Sequence, residues 1–137
     1  MPRLSLWLIR ASLAYFGVGV TLGAVLLAGR ELADGPWVAQ LRPLHAELLL
    51  YGWTLQLIMG VAYWILPRFR AGAERGDPVL PWAAWGLLNI GVLAAALGTA
   101  PGAERTLILL GRVLETLAVA AFIAHALPRI KAFGTAR

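Results

Sequence analysis

Two histidines, His45 and His125, are the side chains best suited to metal chemistry in a chain that has no cysteine. His45 lies near the start of the run RPLHAELLLYGWTLQLIMGVAYWILPRF, Arg42 to Phe69. Between Arg42 and Arg68 there are 25 residues, and Glu47 is their only formal charge. A bilayer core of roughly 30 Å is crossed by about 20 apolar residues in a helix, so this run is membrane-length. An ionisable side chain one turn inside such a run is a functional candidate by default. Its imidazole has the chemistry of a haem-iron ligand, and equally that of a simple hydrogen-bonding group. His125 lies beside Pro128 and the basic tail, where an interfacial, solvated histidine is expected. The lack of cysteine excludes disulfides, thiolate metal sites and thioether-attached haem, so a haem here would be non-covalent, and a b-type haem is the expectation.

Depth limits what the two histidines can do together. At 1.5 Å per residue they fall near opposite membrane surfaces, about 25–30 Å apart, and cannot share one iron. A second histidine ligand would have to come from another copy of the chain. A homodimer with its twofold along the membrane normal would place two His45 residues at one depth. One five-coordinate haem per chain satisfies the same constraint.

At helical spacing His45 is followed by Leu49, Gly52, Gln56, Met59 or Gly60, and Tyr63. Gly52 would clear a space for a flat ring against this face, or serve helix packing. Met59 lies about 20 Å deeper than His45 and is read as packing. Haem propionates need cationic partners, and Arg30, Arg42 and Arg105 are available at the same surface. Arg112 lies about two turns inside the membrane, where a charge is costly. It is read either as a propionate partner or as the partner of Glu115, three residues on, or of Glu47. Asn89 is read as an interhelical hydrogen bond.

Positioning these groups requires an all-α integral membrane bundle. The chain is 60% hydrophobic and 14% charged, well below the quarter charged that is usual for soluble domains. Its formal net charge of +5 is not gathered into a basic run, so no nucleic acid partner is expected. Four spans are predicted, at about 6–28, 43–66, 80–99 and 105–127, in one domain covering 1–137. Gly19 and Gly23 in the first span form a GxxxG spacing suited to close helix approach. Pro43 is read as the first turn of the second span and Pro67 as its end. The segments 29–42, 67–78 and 100–104 are read as loops, Gly35-Pro36 being a turn signal. The first run is too long for a cleavable signal. With the N-terminus inside, eight basic residues fall on the inner face and three on the outer. The positive-inside rule then puts both termini in the cytoplasm, with the chain in the inner membrane and an up-down order of helices favoured by short loops.

The segment HAELLLYGWTLQLIMGVAYWILP, His45 to Pro67, resembles the second transmembrane helix of the catalytic subunit of haem-copper oxygen and nitric-oxide reductases. Gly60, Tyr63, Trp64 and Leu66-Pro67 match that helix's Gly-rich, aromatic close, and Tyr15 and Phe16 fit the family's first helix loosely. The resemblance implies that His45 is an axial ligand of a low-spin haem whose propionates point to the outer face, near Arg30, Arg42, Arg105 and Arg112. It covers about half the chain. The family's remaining helices, and the histidines of its binuclear centre, have no counterpart here, so terminal oxygen reduction by this chain alone is not expected. Electron transfer or redox and gas sensing by a haem protein is the leading expectation, with a redox partner or respiratory complex as its neighbour. A haemless accessory or assembly subunit, and a small haem enzyme acting on a diatomic gas, are the alternatives.

Overall fold

The computed structural model describes residues 1–32, 36–68 and 75–131. They are helical with no strand. Helix α1 is Arg3–Leu32 and α2 is Pro36–Glu47, which continues into a π-helical segment, Leu48–Leu55, and then α3, Gln56–Ile65. Helix α4 is Val79–Gly98 and α5 is Arg105–Lys131. Four helical stretches, Arg3–Gly29, Leu41–Ile65, Val79–Gly98 and Arg105–Ile130, are long and apolar enough to cross a membrane. The chain is thus built as a multi-pass membrane protein.

Helix ends differ from expectation where polar residues continue a helix beyond its apolar core. Helix α1 keeps Arg3 and Glu31 within it. The expected loop 29–42 is helical up to Leu32 and again from Pro36. Pro36 occupies the first helical position, where its missing N–H is not needed. Pro43, expected there, lies well inside α2. Likewise α5 continues past Pro128 to Lys131. Pro67 does end its helix, with Leu66 leaving the helical region at ψ 142°. On the other side of that loop the Asp77 carboxylate accepts the Val79 N–H at 2.9 Å, capping α4. Gly35 and Asp34, and the loop residues Arg70 and Glu74, lie outside the described residues.

Two helix pairs form, each through small residues. In the first, α1 packs along the π segment and α3. A Cβ on Gly19 would come within 2.5 Å of the Leu49 side chain, one on Gly52 within 2.7 Å of the Tyr15 ring, and one on Gly60 within 2.9 Å of Leu8. The pairings 19 with 49, 15 with 52 and 8 with 60 run antiparallel. In the second pair α4 meets α5 backbone to backbone. A Cβ on Gly111 would lie 2.7 Å from the Ala95 nitrogen and 2.8 Å from the Gly91 carbonyl oxygen. Such close approach maximises dispersion contacts where lipid offers no hydrophobic drive to association. Between the pairs lies a core that includes Leu4, Leu8, Met59, Tyr63, Leu88, Val92, Ala118 and Phe122. Met59, read as packing, is 3% exposed there.

The α4–α5 seam predicts a sharp contrast. Gly111→Ala should destabilise the purified protein by about 1–3 kcal/mol, the usual cost of overpacking, because backbone cannot give way as a side chain can. Gly17→Ala, with open space around it, should leave thermal unfolding in detergent unchanged.

Candidate functional site

Among the described residues, side-chain polar bonds between helices fall at three levels of the bundle, beginning at the end that carries His45. His45 lies on α2 with its ring against α1, where a Cβ on Gly23 would come within 2.8 Å of ring atom Cε1. The GxxxG of α1 therefore makes room for an imidazole as well as for Leu49. His45 Nδ1 is 2.8 Å from the Gly19 carbonyl oxygen. A carbonyl only accepts, so Nδ1 carries the hydrogen, and the neutral ring's lone pair is on Nε2. This is the arrangement by which a metal-binding histidine is held in one tautomer and orientation. The ring borders a groove of about 680 Å³ also lined by Val20, Gly23, Ala24, Leu27, Arg42 and Leu49.

The other expected site residues do not all converge on this groove. Arg42 lines it. Arg105 is exposed at the start of α5. The Arg30 side chain lies outside the described residues. Gly52 faces α1, and Tyr15 fills the space that its missing side chain leaves. The face that was expected to receive a flat ring is there the seam of the first helix pair.

Arg112 lies between two buried carboxylates. Its Nη2 donates to Glu47 Oε2 at 2.6 Å and its Nη1 to Glu115 Oε2 at 2.8 Å. The guanidinium also stacks over the Tyr51 ring, 4.6 Å from its centroid. Both glutamates are 2% exposed, and the Oε1 of each is buried with no partner among the described residues. Glu115 fits because Gly91 on α4 has no side chain there; a Cβ would meet Glu115 Cγ at 3.0 Å. Midway along the bundle, Tyr15 donates to Asn89 Oδ1 at 3.1 Å, the interhelical bond expected of Asn89.

The third level is at the opposite end. His125 is buried, 6% exposed, which corrects the expectation of a solvated histidine. Its ring packs on Tyr63 at 5.6 Å between centroids. The cause is Arg129, one turn on and fully buried. Pro67 ends α3 and leaves its last carbonyls without helical donors. Arg129 supplies them, donating from Nε to Pro67 O at 2.9 Å and from Nη2 to Leu66 O at 2.7 Å and Tyr63 O at 3.3 Å. That clasp draws the end of α5 inward and His125 with it. The signal was in the chain: a helix stopped by proline needs donors, and Arg129 is a strong multiple donor at the matching depth.

Among the described residues no group of three or more His, Asp or Glu could hold a metal ion on its own. No protein-family model, curated protein or solved structure matches the chain.

Replacing Arg129 by Leu should cost more than its lost charge suggests. The buried Tyr63 carbonyl and the part-buried carbonyls of Leu66 and Pro67 would lose these donors, and a buried polar group left unpaired costs about 1–3 kcal/mol. A drop in thermal stability, with Arg68→Leu near neutral at an exposed position, is the expected outcome in the same melting assay.

Proposed function

We propose that the protein is a membrane b-type haem protein in which His45 is the axial ligand. The observation that carries this reading is the Nδ1–Gly19 hydrogen bond: it sets the tautomer that frees Nε2, on a ring that borders a groove. Support also comes from the likeness of His45 to Pro67 to the low-spin haem helix. When bound, an iron porphyrin supplies one-electron exchange or a site for a diatomic ligand, according to whether a second protein ligand is present.

The chain's own residues would do the following. Gly19 orients the imidazole and raises its basicity through Nδ1. Gly23 lets the ring lie close to α1. Val20, Ala24, Leu27 and Leu49 offer an apolar wall, and Arg42 a cation for a propionate. Arg30 and Arg105 belong to the same basic surface, whereas Arg112 in this reading balances Glu47 and Glu115 and Gly52 serves packing. A homodimer about an axis along the membrane normal would bring a second His45 to the same depth and close the groove from its open side. Eight basic residues against three orient both termini to the cytoplasm of an inner membrane, in an up-down bundle, with His45 near the outer face. Electron transfer to a redox partner, or redox or gas sensing, follows from that placement.

A second reading, a haemless accessory subunit, draws on the internal pairing of Arg112 and on the filling of Gly52 by Tyr15. One titration separates the two. Purified protein in detergent, given ferric haem, should develop a Soret band at a fixed stoichiometry, and reduction should yield clear alpha and beta bands if two histidines bind. His45→Ala should abolish tight binding, whereas His125→Ala, at the other end, should leave the spectrum intact. Absence of saturable haem binding by the wild-type protein would favour the accessory subunit, and an unchanged spectrum in His45→Ala would overturn the assignment.

A further inference from the structure

Arg112 stands between two carboxyl groups, and one guanidinium cannot neutralise two carboxylates. Its Nη2 bonds Glu47 Oε2 at 2.6 Å and its Nη1 bonds Glu115 Oε2 at 2.8 Å. Among the described residues no other cation pairs with either glutamate. If both were ionised, the cluster would hold one negative charge without a counter-charge. Each glutamate is 2% exposed, so solvent does not screen that charge. Glu115 lies ten residues beyond Arg105 in α5, about 15 Å along the axis. That is near the middle of a bilayer core of roughly 30 Å, where a bare charge is costly.

The cluster is also short of a hydrogen-bond donor. The Oε1 of each glutamate is buried with no partner among the described residues. The Glu115 carboxyl lies within hydrogen-bonding reach of that of Glu47. Two carboxylates only accept, and like charges this close do not both ionise. One added hydrogen corrects both faults. A carboxylic acid donates, and the charges then cancel.

The surrounding elements offer no other remedy. Tyr51, from the π-helical segment, meets the cluster with its ring under the guanidinium. Helix α4 presents Gly91 to Glu115 and has no ionisable residue from Val79 to Gly98. From α1, Tyr15 is already bonded to Asn89. A metal cation fits less well than a proton, because hard cations need several oxygen ligands and both Oε2 atoms are committed to Arg112. A water molecule between the carboxyls could donate to each, but would leave the surplus charge in place. The shorter of the two Arg112 bonds marks Glu47 as the ionised partner.

We propose that Glu115 is a carboxylic acid, holding one proton per chain and donating it in a hydrogen bond to an ionised Glu47 that neutralises Arg112. The cluster is thereby a proton-binding site inside the membrane, and it does not depend on haem binding at His45.

Infrared spectroscopy at neutral pH tests this on the full chain in lipid nanodiscs, with glutamate isotopically labelled at the side-chain carboxyl. The labelled-minus-unlabelled spectrum of the wild type should contain the C=O stretch of a protonated, hydrogen-bonded carboxyl, and the band should shift only slowly in heavy water because the site is buried. Glu115→Gln, a neutral group of the same shape as the acid, should remove the band and keep the wild-type melting temperature. Glu47→Gln should remove it too, since Glu115 must then ionise to neutralise Arg112. The double variant leaves Arg112 uncompensated and should melt lower than the two single shifts together predict. Absence of a protonated-carboxyl band in the labelled wild type would overturn the proposal and indicate two carboxylates bridged by water or a cation. A band that survives in Glu115→Gln, or a double variant as stable as the single ones, would overturn it as well. The wild-type spectrum decides the matter even where a variant fails to fold.

Discussion

Hydrocarbon provides no partners for polar groups, and the Arg112 guanidinium answers that constraint for much of this bundle. It reaches from α5 to Glu47 at the end of α2 while holding Glu115 on its own helix. Removing one member of such a buried set leaves the others uncompensated, which is why these arrangements are costly to break even when they add little on formation. Tyr15 with Asn89, and Arg129 with the end of α3, repeat the device at two other depths. All three connect one helix pair to the other. Within each pair glycines admit the contact, receiving Leu49, Tyr15 and Leu8 in the first pair and meeting Ala95 and backbone in the second. Packing of small residues thus builds the pairs, and polar bonds at three levels join them.

Much of this could be read from residue types. Four apolar stretches of membrane length gave four spans, and an asparagine alone in one of them gave an interhelical bond. The Gly19–Gly23 spacing spoke of close approach, though not that an imidazole would be one of the approaching groups. The choice between Glu47 and Glu115 as partner of Arg112 did not need to be made, because a forked guanidinium can serve both. Hydropathy marks the hydrocarbon-facing core of a helix and says little about its ends. That is why α1, α2 and α5 continue through Arg3, Pro43 and Pro128.

What escaped sequence reasoning depends on distance along the chain. Arg129 and Pro67 are far apart in sequence, and only the folded arrangement brings the guanidinium to the free carbonyls. Tail position alone suggested solvent for His125, but Arg129 lies at the end of a helix that is clasped to another. Gly52 illustrates the opposite difficulty. Space beside a glycine is visible from the sequence, but its occupant is not, and Tyr15 from α1 takes it. At Gly19 the neighbouring element contributes a carbonyl, and the consequence for His45 is a defined tautomer and not merely a filled gap.

The π-helical segment Leu48–Leu55 has its own implication. Each turn there spans an additional residue, and the Thr54 hydroxyl bonds the carbonyl five positions back, that of Leu49, at 2.8 Å. Wide turns of this kind are uncommon and concentrate near functional positions. This one separates the stretch that carries His45 from the stretch that carries Gly60, although both stretches face α1. A π turn takes up one residue more than an α turn while keeping the two flanking stretches in phase; were the segment to become ordinary α-helix at its present length, one stretch would swing about 100° around the axis relative to the other. The imidazole and the inner glycine could then no longer share a neighbour, so the width of these turns is as closely specified as any side chain in the bundle.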